Sequence, residues 1–285
     1  MKIANIIMVH KNPAQLERLI RAMDHECFHF FIHVDKKIDI QPFLYLSEFR
    51  RVTFIEDRKI CRWGGYSFVK AILASLAEVL DSAISFDFYN LMSAQDYPIK
   101  PIDHIVNFYR ENLGKSFISY DPDEKKDWWE HAIVRYEQYH FTDFEFRGKY
   151  FIQKVFNTVL PKRKFPLPIK LYGSSDSSWW SISNSCAKYL LDFMSINKNL
   201  SNFMKYTWTA DEFLIASILM NSPHKNEIIN NNLRYITWVN TSPNPLILTS
   251  TNLPEILNAT NKLFARKFDA EVDSMILDEL DKARK

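Results

Sequence analysis

Two short segments near the end of the chain contain the side chains best suited to chemistry. The first, residues 209–214, places the carboxylate of Glu212 at the predicted start of a helix. Such a carboxylate can take a proton from an attacking hydroxyl. The second, residues 263–269, places the guanidinium of Arg266 beside the ammonium of Lys267, and fixed cations can stabilise the charge that gathers on a phosphate leaving group. Together they predict group transfer from an activated phosphate donor without a metal ion.

Glu212 also has a purely structural interpretation. Thr209 and Glu212 have the spacing of a capping box, in which the two side chains bind free N–H groups of the first helical turn. Spacing alone favours the cap over the base. The two roles are compatible, because the helix dipole would hold the Glu212 carboxylate ionised, as a base requires.

Arg266 and Lys267 could be a solvated pair at the predicted start of a C-terminal helix. Their neighbours argue against this, because Leu263, Phe264 and Phe268 are apolar and should be buried. Buried flanks would fix the two cations in place, and two fixed charges can replace a metal ion on a diphosphate.

Two further candidates lie at the ends of predicted elements. Asp35 closes the second strand, where an acid can accept hydrogen bonds from a nucleotide's ribose or base, or can be a solvated turn residue. Trp63, Gly64 and Gly65 precede a helix. Their N–H groups could face a phosphate beside the indole, or the glycines could form a tight turn at positive φ.

The candidate metal ligands are weak. Asp96 follows the fourth strand as a single acid, and one carboxylate is a poor site for a divalent ion bound with a diphosphate. Asp121 and Asp123 have Asp-x-Asp spacing, but Pro122 marks an ordinary turn, and we interpret the pair as structural. Three histidines are spaced by four, but this spacing gathers ligands only on a helix, and the last two lie on a predicted strand: His25, His29 and His33.

Composition indicates a folded protein and excludes several classes. Of the 285 residues, 47% are hydrophobic and 25% are charged, and the net charge of +2 is too small to argue for nucleic-acid binding. The three cysteines are far apart without a C-x-x-C, which excludes a zinc ribbon or disulfide framework and fits a reducing compartment. The five glycines form neither a dinucleotide fingerprint nor a P-loop. The sequence has no apolar run of about 18 residues and begins on a strand, so we expect a cytoplasmic protein.

The first 120 residues alternate strands and helices. Apolar runs predict strands at 3–9, 29–34, 52–55, 88–92 and 116–119, and spacings of three and four predict helices from Pro13 and at 68–80 and 102–109. Asn12 before Pro13 is a typical N-cap. Strands separated by helices imply βαβ units and a parallel sheet, whose ligands bind at the carboxyl ends of the strands.

The second half is less regular. Its patterns predict helices at 128–139, 149–160, 186–194, 211–220 and 270–283, and strands at 178–182 and 235–239. We find no internal repeat and no linker. The sequence therefore predicts one α/β domain over residues 1–285.

Residues 147–170 carry only basic charges: Arg147, Lys149, Lys154, Lys162, Arg163, Lys164 and Lys170. Aromatic residues are interleaved with them, and such a segment could make a peripheral contact with an anionic membrane surface. A basic, solvated loop is the simpler interpretation.

Seven motifs, in order along nearly the whole chain, resemble those of the core-2/I-branching N-acetylglucosaminyltransferases, a family that also contains peptide O-xylosyltransferases. They are His10-Lys11-Asn12-Pro13, His33-Val34-Asp35-Lys36, Trp63-Gly64-Gly65-x-Ser67, Ser93-x-x-Asp96-Tyr97-Pro98-Ile99, Ser178-Trp179-Trp180, Asp211-Glu212 and Leu263-Phe264-Ala265-Arg266-Lys267-Phe268-Asp269. Each motif is weak alone, and their order makes the resemblance specific. It implies a GT-A-type α/β fold with a mostly parallel central sheet flanked by helices, and inverting transfer from a UDP-sugar without a metal cofactor.

The resemblance also assigns roles on the donor side. Glu212 corresponds to the family's general base, and Lys267 to the lysine that holds the UDP diphosphate. Asp35 corresponds to the aspartate of the uridine pocket, which Trp63 is expected to line as well. Residues 1–120 would then form the nucleotide-sugar-binding half, and 121–285 the acceptor-binding and catalytic half.

The acceptor side is assigned more loosely. Arg135 stands where the family has an acceptor-side arginine, and like that arginine it is followed by a tyrosine, Tyr136. Trp128, Trp129 and Trp179 are candidates for stacking the acceptor.

Two departures from the family pattern matter. Where the family often has a second diphosphate-binding basic residue, this chain has the neutral Asn244, so either Arg266 or Arg234 supplies that charge or the donor is held more weakly. Animal members are anchored in the Golgi and contain disulfides. This sequence has neither feature, and so resembles a bacterial member that builds a surface polysaccharide or lipopolysaccharide at the cytoplasmic face of the membrane.

The resulting hypothesis is an inverting transferase that moves GlcNAc or xylose from UDP to a glycan hydroxyl. One alternative is a metal-dependent transferase that uses Asp96, or Asp121 and Asp123. The other is a non-catalytic carbohydrate-binding protein, which the neutral Asn244 favours.

Overall fold

The computed structural model describes residues 1–122, 126–239, 242 and 244–285. Its strands are β1 (Ile3–Val9), β2 (Phe28–Val34), β3 (Val52–Phe54), β4 (Phe88–Ser93), β5 (Tyr97–Pro98), β6 (Ser116–Ile118), β7 (Asp121–Pro122), β8 (Tyr172–Gly173), β9 (Trp180–Ser183), β10 (Ile228–Ile229), β11 (Arg234–Ile236) and β12 (Phe264–Arg266). A seven-stranded central sheet has the order β10-β6-β9-β4-β1-β2-β3, and a smaller sheet has the order β11-β12-β5.

The central sheet is mostly parallel. The strand β1 pairs in parallel with β2 and β4, β2 with β3, and β10 with β6, whereas β9 runs antiparallel to β4 and β6. All seven residues of β1 are buried, because a parallel strand in the middle of a sheet is covered on both faces. The sheet takes strands from both halves of the chain.

Helices cover both faces of the sheet. They are α1 (Pro13–Ala22), α2 (Tyr66–Leu80), α3 (Ile102–Glu111), α4 (Lys126–Ala132), α5 (Val134–Glu137), α6 (Lys149–Val159), α7 (Asn184–Ile196), α8 (Lys198–Met204), α9 (Leu214–Met220), α10 (Leu253–Asn258) and α11 (Met275–Ala283). Helices α1, α3 and α11 contribute to one apolar cluster, and α2, α7 and α9 to the other. The prediction of a GT-A-type α/β fold is thus confirmed in its α/β class, its mostly parallel sheet and its helical flanks.

The elements predicted in the first half are all present, with ends that differ by at most two residues. The predicted N-cap is also confirmed, since Asn12 Oδ1 accepts a hydrogen bond of 3.0 Å from Gln15 N. In the described parts of the chain, no helix has the length and apolar character that a membrane crossing requires.

Several predictions in the second half are wrong in detail. The helix predicted at 128–139 is divided between α4 and α5, and the strand predicted at 235–239 is the shorter β11. The predicted turn at Pro122 is instead the end of β7, which pairs with β8. The candidate ligand Asp123 lies outside the described residues.

The C-terminal helix is shorter than predicted. It begins at Met275 rather than at 270, because the Asp273 carboxylate accepts hydrogen bonds from Met275 N at 2.9 Å and Ser250 N at 2.8 Å and so ends the preceding loop. Arg266 therefore does not lie at a helix start. It ends β12, which is buried in all three residues.

Candidate active site

A cavity of about 400 Å³ lies at the carboxyl edge of the central sheet. Three of its lining residues follow parallel strands: His10 follows β1, Asp35 follows β2 and Gln95 follows β4. The end of β12 and the turn before α9 also contribute to the lining. A cavity of this volume can hold a small-molecule ligand, and its position is the one where open α/β sheets bind ligands.

Asp35 is held in place at the edge of this cavity. It is only 4% exposed, and its Oδ1 accepts hydrogen bonds from Lys37 N at 3.0 Å and Cys61 N at 3.3 Å. The other oxygen, Oδ2, lies 3.4 Å from Lys37 Nζ. The interpretation of Asp35 as a solvated turn residue is therefore wrong.

The segment 63–65 forms a tight turn beside the cavity. Gly64 has a φ of 67°, as the turn interpretation predicts. The N-terminus of α2 is already occupied by Asp143, whose carboxylate accepts hydrogen bonds from Ser67 N at 2.8 Å and Ser67 Oγ at 2.6 Å. A Cβ added to Gly65 would lie 2.1 Å from Asp143 Oδ1. Because an anion fills this helix terminus, the alternative of a phosphate bound there is wrong. Trp63, 60% exposed, lines the cavity.

The backbone at Glu212 is fixed by close contacts with two other segments. Thr209 N donates a hydrogen bond of 2.8 Å to Gly64 O, and Ser174 N donates one of 3.1 Å to Glu212 O. A Cβ added to Gly173 would lie 2.6 Å from Glu212 O, so only a glycine lets β8 pass at this distance.

The predicted capping box is wrong. Thr209 has a φ of 46°, and within the described residues its side chain makes no capping hydrogen bond. The segment Ala210–Glu212 is a 3-10 turn, and α9 begins only at Leu214. Thr209 is instead bound through its N–H to Gly64 O in a conformation that is not helical. The Glu212 side chain is not used as a cap, and Glu212 lines the cavity.

The Glu212 carboxylate lies in the cavity lining and is paired with a guanidinium. Arg135 Nη1 donates a hydrogen bond to Glu212 Oε2, and the Arg135 guanidinium lies 5.0 Å from the Trp128 ring centroid and 5.2 Å from that of Trp208. Burial raises the pKa of Glu212 to about 7, against the lowering effect of Arg135, and the neighbouring charge of Asp211 raises it as well.

Asp211 lines the same part of the cavity. Ser178 Oγ donates a hydrogen bond of 2.7 Å to Asp211 Oδ2. Burial raises the pKa of Asp211, while this bond and the Asp211 backbone lower it. We call Asp211 and Glu212 the base end of the cavity and include Arg135, which is absent from the described lining but pairs with Glu212.

Arg266 and Lys267 form what we call the cation end. The Arg266 guanidinium lies 3.9 Å from the Trp179 ring centroid, and its Nε lies 3.6 Å from Asp96 Oδ1. Among the described residues, Arg266 Nη1 finds no hydrogen-bond partner. Burial lowers the pKa of Lys267, and the positive charges of Arg266 and Lys11 lower it further. The neighbours Leu263, Phe264 and Phe268 are buried, as predicted.

Two charged residues considered from the sequence are buried behind the cavity. Asp96 is 0% exposed, and its carboxylate lies between Arg266 and Arg234, whose Nε is 4.0 Å from Asp96 Oδ2. Arg234 itself donates to Asn90 Oδ1 and, at 2.7 Å, to Leu91 O. Arg234 is therefore a structural residue, and its suggested role as the missing donor-side charge is wrong. Asn244 does line the cavity.

Of the tryptophans predicted on the acceptor side, one is found in the described cavity lining and two are not. Trp179 lines the cavity on the Arg266 side. Trp128 and Trp129 pack on each other at 4.7 Å and are absent from the described lining. In the described residues, no group of three or more His, Cys, Asp or Glu side chains is arranged to hold a metal ion.

Sequence reasoning missed two aromatic residues, of which one packs on Arg135 and the other lines the cavity. Trp208 is the second ring against Arg135, and Trp238 lines the cavity while its Nε1 donates a hydrogen bond of 2.7 Å to Asp176 Oδ1. Trp208 directly precedes the segment of Glu212, which is the one signal that could have found it. Nothing in its own surroundings in the sequence marks Trp238.

The sequence matches a known protein family over most of its length. A family model described as Core-2/I-Branching enzyme matches residues 3–259. Xylosyltransferase 2 of Rattus norvegicus is 27% identical over 313 residues, an alignment that covers 98% of this chain and 33% of that protein. Xylosyltransferase 1 of Canis lupus familiaris is 25% identical over 309 residues, with 98% and 30% covered. The chain thus spans about a third of the length of these relatives.

Two solved structures show a more distant likeness. One is the galactosyltransferase LgtC in complex with donor and acceptor sugar analogues, with a TM-score of 0.44, 10% identity and coverage of 98% of this chain and 95% of the other. The second is mouse xyloside xylosyltransferase 1 in its apo form, with a TM-score of 0.42, 9% identity and coverage of 92% and 97%. Both structural likenesses are distant, whereas the family model covers most of the sequence. The chain belongs to the Core-2/I-Branching enzyme family.

Proposed function

We propose that this protein is an inverting, metal-independent glycosyltransferase that moves GlcNAc or xylose from a UDP-sugar to a hydroxyl of a glycan acceptor. The observation that carries the proposal is that one cavity contains both a carboxylate with a pKa of about 7 and two adjacent cations. A base of that pKa is half ionised at neutral pH. The cations suit a leaving group that departs as a diphosphate.

In the proposed reaction, Glu212 is the general base. It takes the proton of the acceptor hydroxyl as the hydroxyl oxygen attacks the anomeric carbon of the donor sugar. The bond between that carbon and the β-phosphate oxygen breaks, and its electron pair leaves with UDP. Attack from the face opposite the leaving group inverts the anomeric configuration.

The charge on the departing UDP is stabilised by Lys267 and Arg266. The Arg266 guanidinium is held between the Trp179 ring and the Asp96 carboxylate, and Arg266 lines the cavity. A guanidinium fixed in this way is pre-organised for two phosphate oxygens. In this proposal, side chains neutralise the diphosphate charge in place of a metal ion.

The remaining contacts are assigned to Asp35, Trp63 and Trp179, which line the cavity, and to Arg135, which pairs with the lining residue Glu212. Asp35 and Trp63 bind the uridine, and the acceptor is bound by Arg135 and Trp179. Trp128 and Trp129 act indirectly in this arrangement, because Trp128 packs on Arg135 and Trp129 packs on Trp128.

The first experiment measures UDP release from a panel of UDP-sugars, once with excess EDTA and once with manganese. Hydrolysis or transfer from one donor in EDTA supports the metal-free mechanism and names the sugar. Activity only with manganese overturns it in favour of the metal-dependent alternative, for which Asp96 is poorly placed because it is enclosed by two guanidinium groups.

One observation favours the second candidate function, a carbohydrate-binding protein without turnover. The ion pair with Arg135 occupies the Glu212 carboxylate, which a base must present to the acceptor. A protein that binds UDP in a titration but releases none from any UDP-sugar, even with glycan acceptors added, would be of this kind. A failure to bind UDP at all would contradict both candidates.

For the biological setting, we propose a surface polysaccharide or lipopolysaccharide as the glycan acceptor and synthesis at the cytoplasmic face of a cell membrane. This extends the resemblance to bacterial members of the family. It is tested by the products of the reaction with lipid-linked and free oligosaccharide acceptors.

A further inference from the structure

The helix α6 has its polar side toward the protein. Gln153 Oε1 accepts a hydrogen bond of 2.8 Å from Phe141 N. Asn157 Oδ1 accepts one of 2.7 Å from Tyr139 N, and Asn157 Nδ2 donates one of 2.9 Å to Tyr139 O. The helix is thus attached through side-chain amides and through Phe156, whose ring centroid lies 5.4 Å from that of Phe141 and 5.9 Å from that of Tyr139, and not through a broad apolar side packed on the core.

The opposite side of α6 is apolar and faces outward. Phe151, Val155 and Val159 are four residues apart and therefore share one side of the helix. Phe151 is 72% exposed and Val159 is 73% exposed. Other large apolar side chains near them are also exposed: Phe146, Tyr150, Ile152 and Leu160. A contiguous apolar surface of this kind marks a site of interaction.

The segment that contains this surface carries charges of one sign only. Residues 147–170 contain no acid, and the cations exposed around α6 are Arg147, Lys154, Lys162 and Lys164. Lys162 also pairs with Glu137 at 2.7 Å. Aromatic and aliphatic side chains beside lysine and arginine are the composition of helices that lie in the interface of anionic lipids.

The same charges argue against a second copy of the chain as the occupant. In a two-fold dimer the same patch meets itself, so the cations of one copy would face those of the other. An anionic surface would instead neutralise them.

We propose that the α6 face, defined as Phe151, Val155 and Val159 with the cations Arg147, Lys154 and Lys164, docks on an anionic membrane surface. Since lipid binding is measured without donor or acceptor, this proposal stands or falls separately from the proposed enzymatic activity. The face is connected to the cavity, because Asp143 and Glu145 in the adjoining loop pair with Ser67 and Arg62, and Arg62 lines the cavity.

The first test is co-flotation of the full chain with vesicles. One set contains phosphatidylcholine alone, and the other contains phosphatidylcholine mixed with phosphatidylglycerol. We expect about tenfold or more tighter binding to the anionic vesicles, since each cation near such a surface adds attraction, and a loss of that preference at high salt. Equal affinity for the two vesicles, or binding to neither, would overturn the proposal.

The second test distinguishes binding through the α6 face from nonspecific binding through other exposed apolar residues. The variant Phe151→Ser/Val155→Ser/Val159→Ser should bind anionic vesicles about tenfold or more weakly, because apolar side chains that entered the lipid are lost. A matched control, Ile196→Ser/Met275→Ser, removes exposed apolar side chains elsewhere and should bind like the wild type. An equal loss in both variants would contradict the assignment to α6.

The third test addresses charge and self-association. The variant Arg147→Gln/Lys154→Gln/Lys164→Gln should lose most of its preference for phosphatidylglycerol while it retains the wild-type circular dichroism spectrum and UDP affinity. Sedimentation of the wild type and the serine variant checks the other occupant. A wild-type dimer that becomes a monomer in the serine variant, together with no vesicle binding, would show that the face joins two copies and would overturn the membrane proposal.

Discussion

The base end and the cation end of the cavity differ in how their charged side chains are paired. At the base end, the Glu212 carboxylate already has a guanidinium partner in Arg135, and that partner is itself held between two indoles. At the cation end, burial and the neighbouring positive charges of Arg266 and Lys11 lower the pKa of Lys267, and both Arg266 and Lys267 line the cavity.

This difference indicates which end of the cavity is stabilised by a bound anion. Repulsion between these like charges is relieved by a negative charge placed among them, so the cation end is stabilised when an anion enters. At the base end, the Glu212 carboxylate and Arg135 are already paired with each other, so an entering anion finds no unpaired cation there, although Arg135 Nε lacks a hydrogen-bond partner among the described residues. The comparison therefore predicts that substitutions at the base end change turnover, whereas those at the cation end change donor affinity.

The largest expected effect is at the base end. Glu212→Gln should lower turnover by about two to four orders of magnitude, because an amide cannot accept the acceptor's proton, and should leave UDP affinity unchanged. Steady-state kinetics and calorimetric titration with UDP measure the two quantities. Glu111→Gln, an exposed glutamate, is the matched control, and full activity of Glu212→Gln would remove Glu212 from the role of base.

At the cation end the effect should be smaller and should appear in binding. Lys267→Ala should weaken UDP binding about tenfold to a hundredfold, the value of a lost charge-assisted hydrogen bond of about 1.5–3 kcal/mol. Lys115→Ala, which removes an exposed lysine outside the cavity, should change nothing. If UDP affinity is the same in Lys267→Ala and the wild type, the distinction between the two ends fails.

The pH dependence of turnover tests the pairing at the base end. A general base must be ionised, so turnover of the wild type should rise with pH and be half-maximal near the Glu212 pKa of about 7. Arg135 lowers that pKa, and Arg135→Gln should therefore shift the profile to higher pH by about one unit. The exposed control Arg147→Gln should keep the wild-type profile. A shift to lower pH in Arg135→Gln would contradict the assignment.

The smallest effect should come from adding a charge. Asn244→Arg places a cation at a cavity position that is neutral in this chain, and should strengthen UDP binding about threefold, since an exposed ion pair contributes about 0.2–1 kcal/mol. Asn261→Arg, outside the cavity, is the control for the change in net charge. Weaker binding of UDP to Asn244→Arg would mean that the diphosphate does not approach this part of the cavity.

The extent to which the sequence predicted this molecule differs between its halves. The strands and helices of residues 1–120 were predicted closely because each βαβ unit carries its own apolar period. The turn at Glu212 was predicted wrongly, since the capping spacing is local, whereas the hydrogen bond from Thr209 to Gly64 joins residues far apart in sequence. The position of Arg266 was wrong for a similar reason, because β12 is defined by its pairing with β11 and β5.

The candidate site was predictable where motifs carried it. The motif residues Asp35, Trp63, Glu212, Arg266 and Lys267 all line one cavity, although their roles stay predictions. Burial could not be inferred from the sequence in the same way. Asp96 and Arg234 carry charges suited to chemistry, and only the three-dimensional packing shows that they neutralise each other inside the protein.

Gly173 has a consequence for how this site would appear in a mutational survey. Its missing side chain leaves room for Glu212 O and the Phe213 side chain, so any substitution there displaces the backbone that carries the proposed base. In a scan scored by turnover, position 173 would rank with the reacting groups, although glycine offers no side chain to react. A search for active-site residues by chemical type would pass over it.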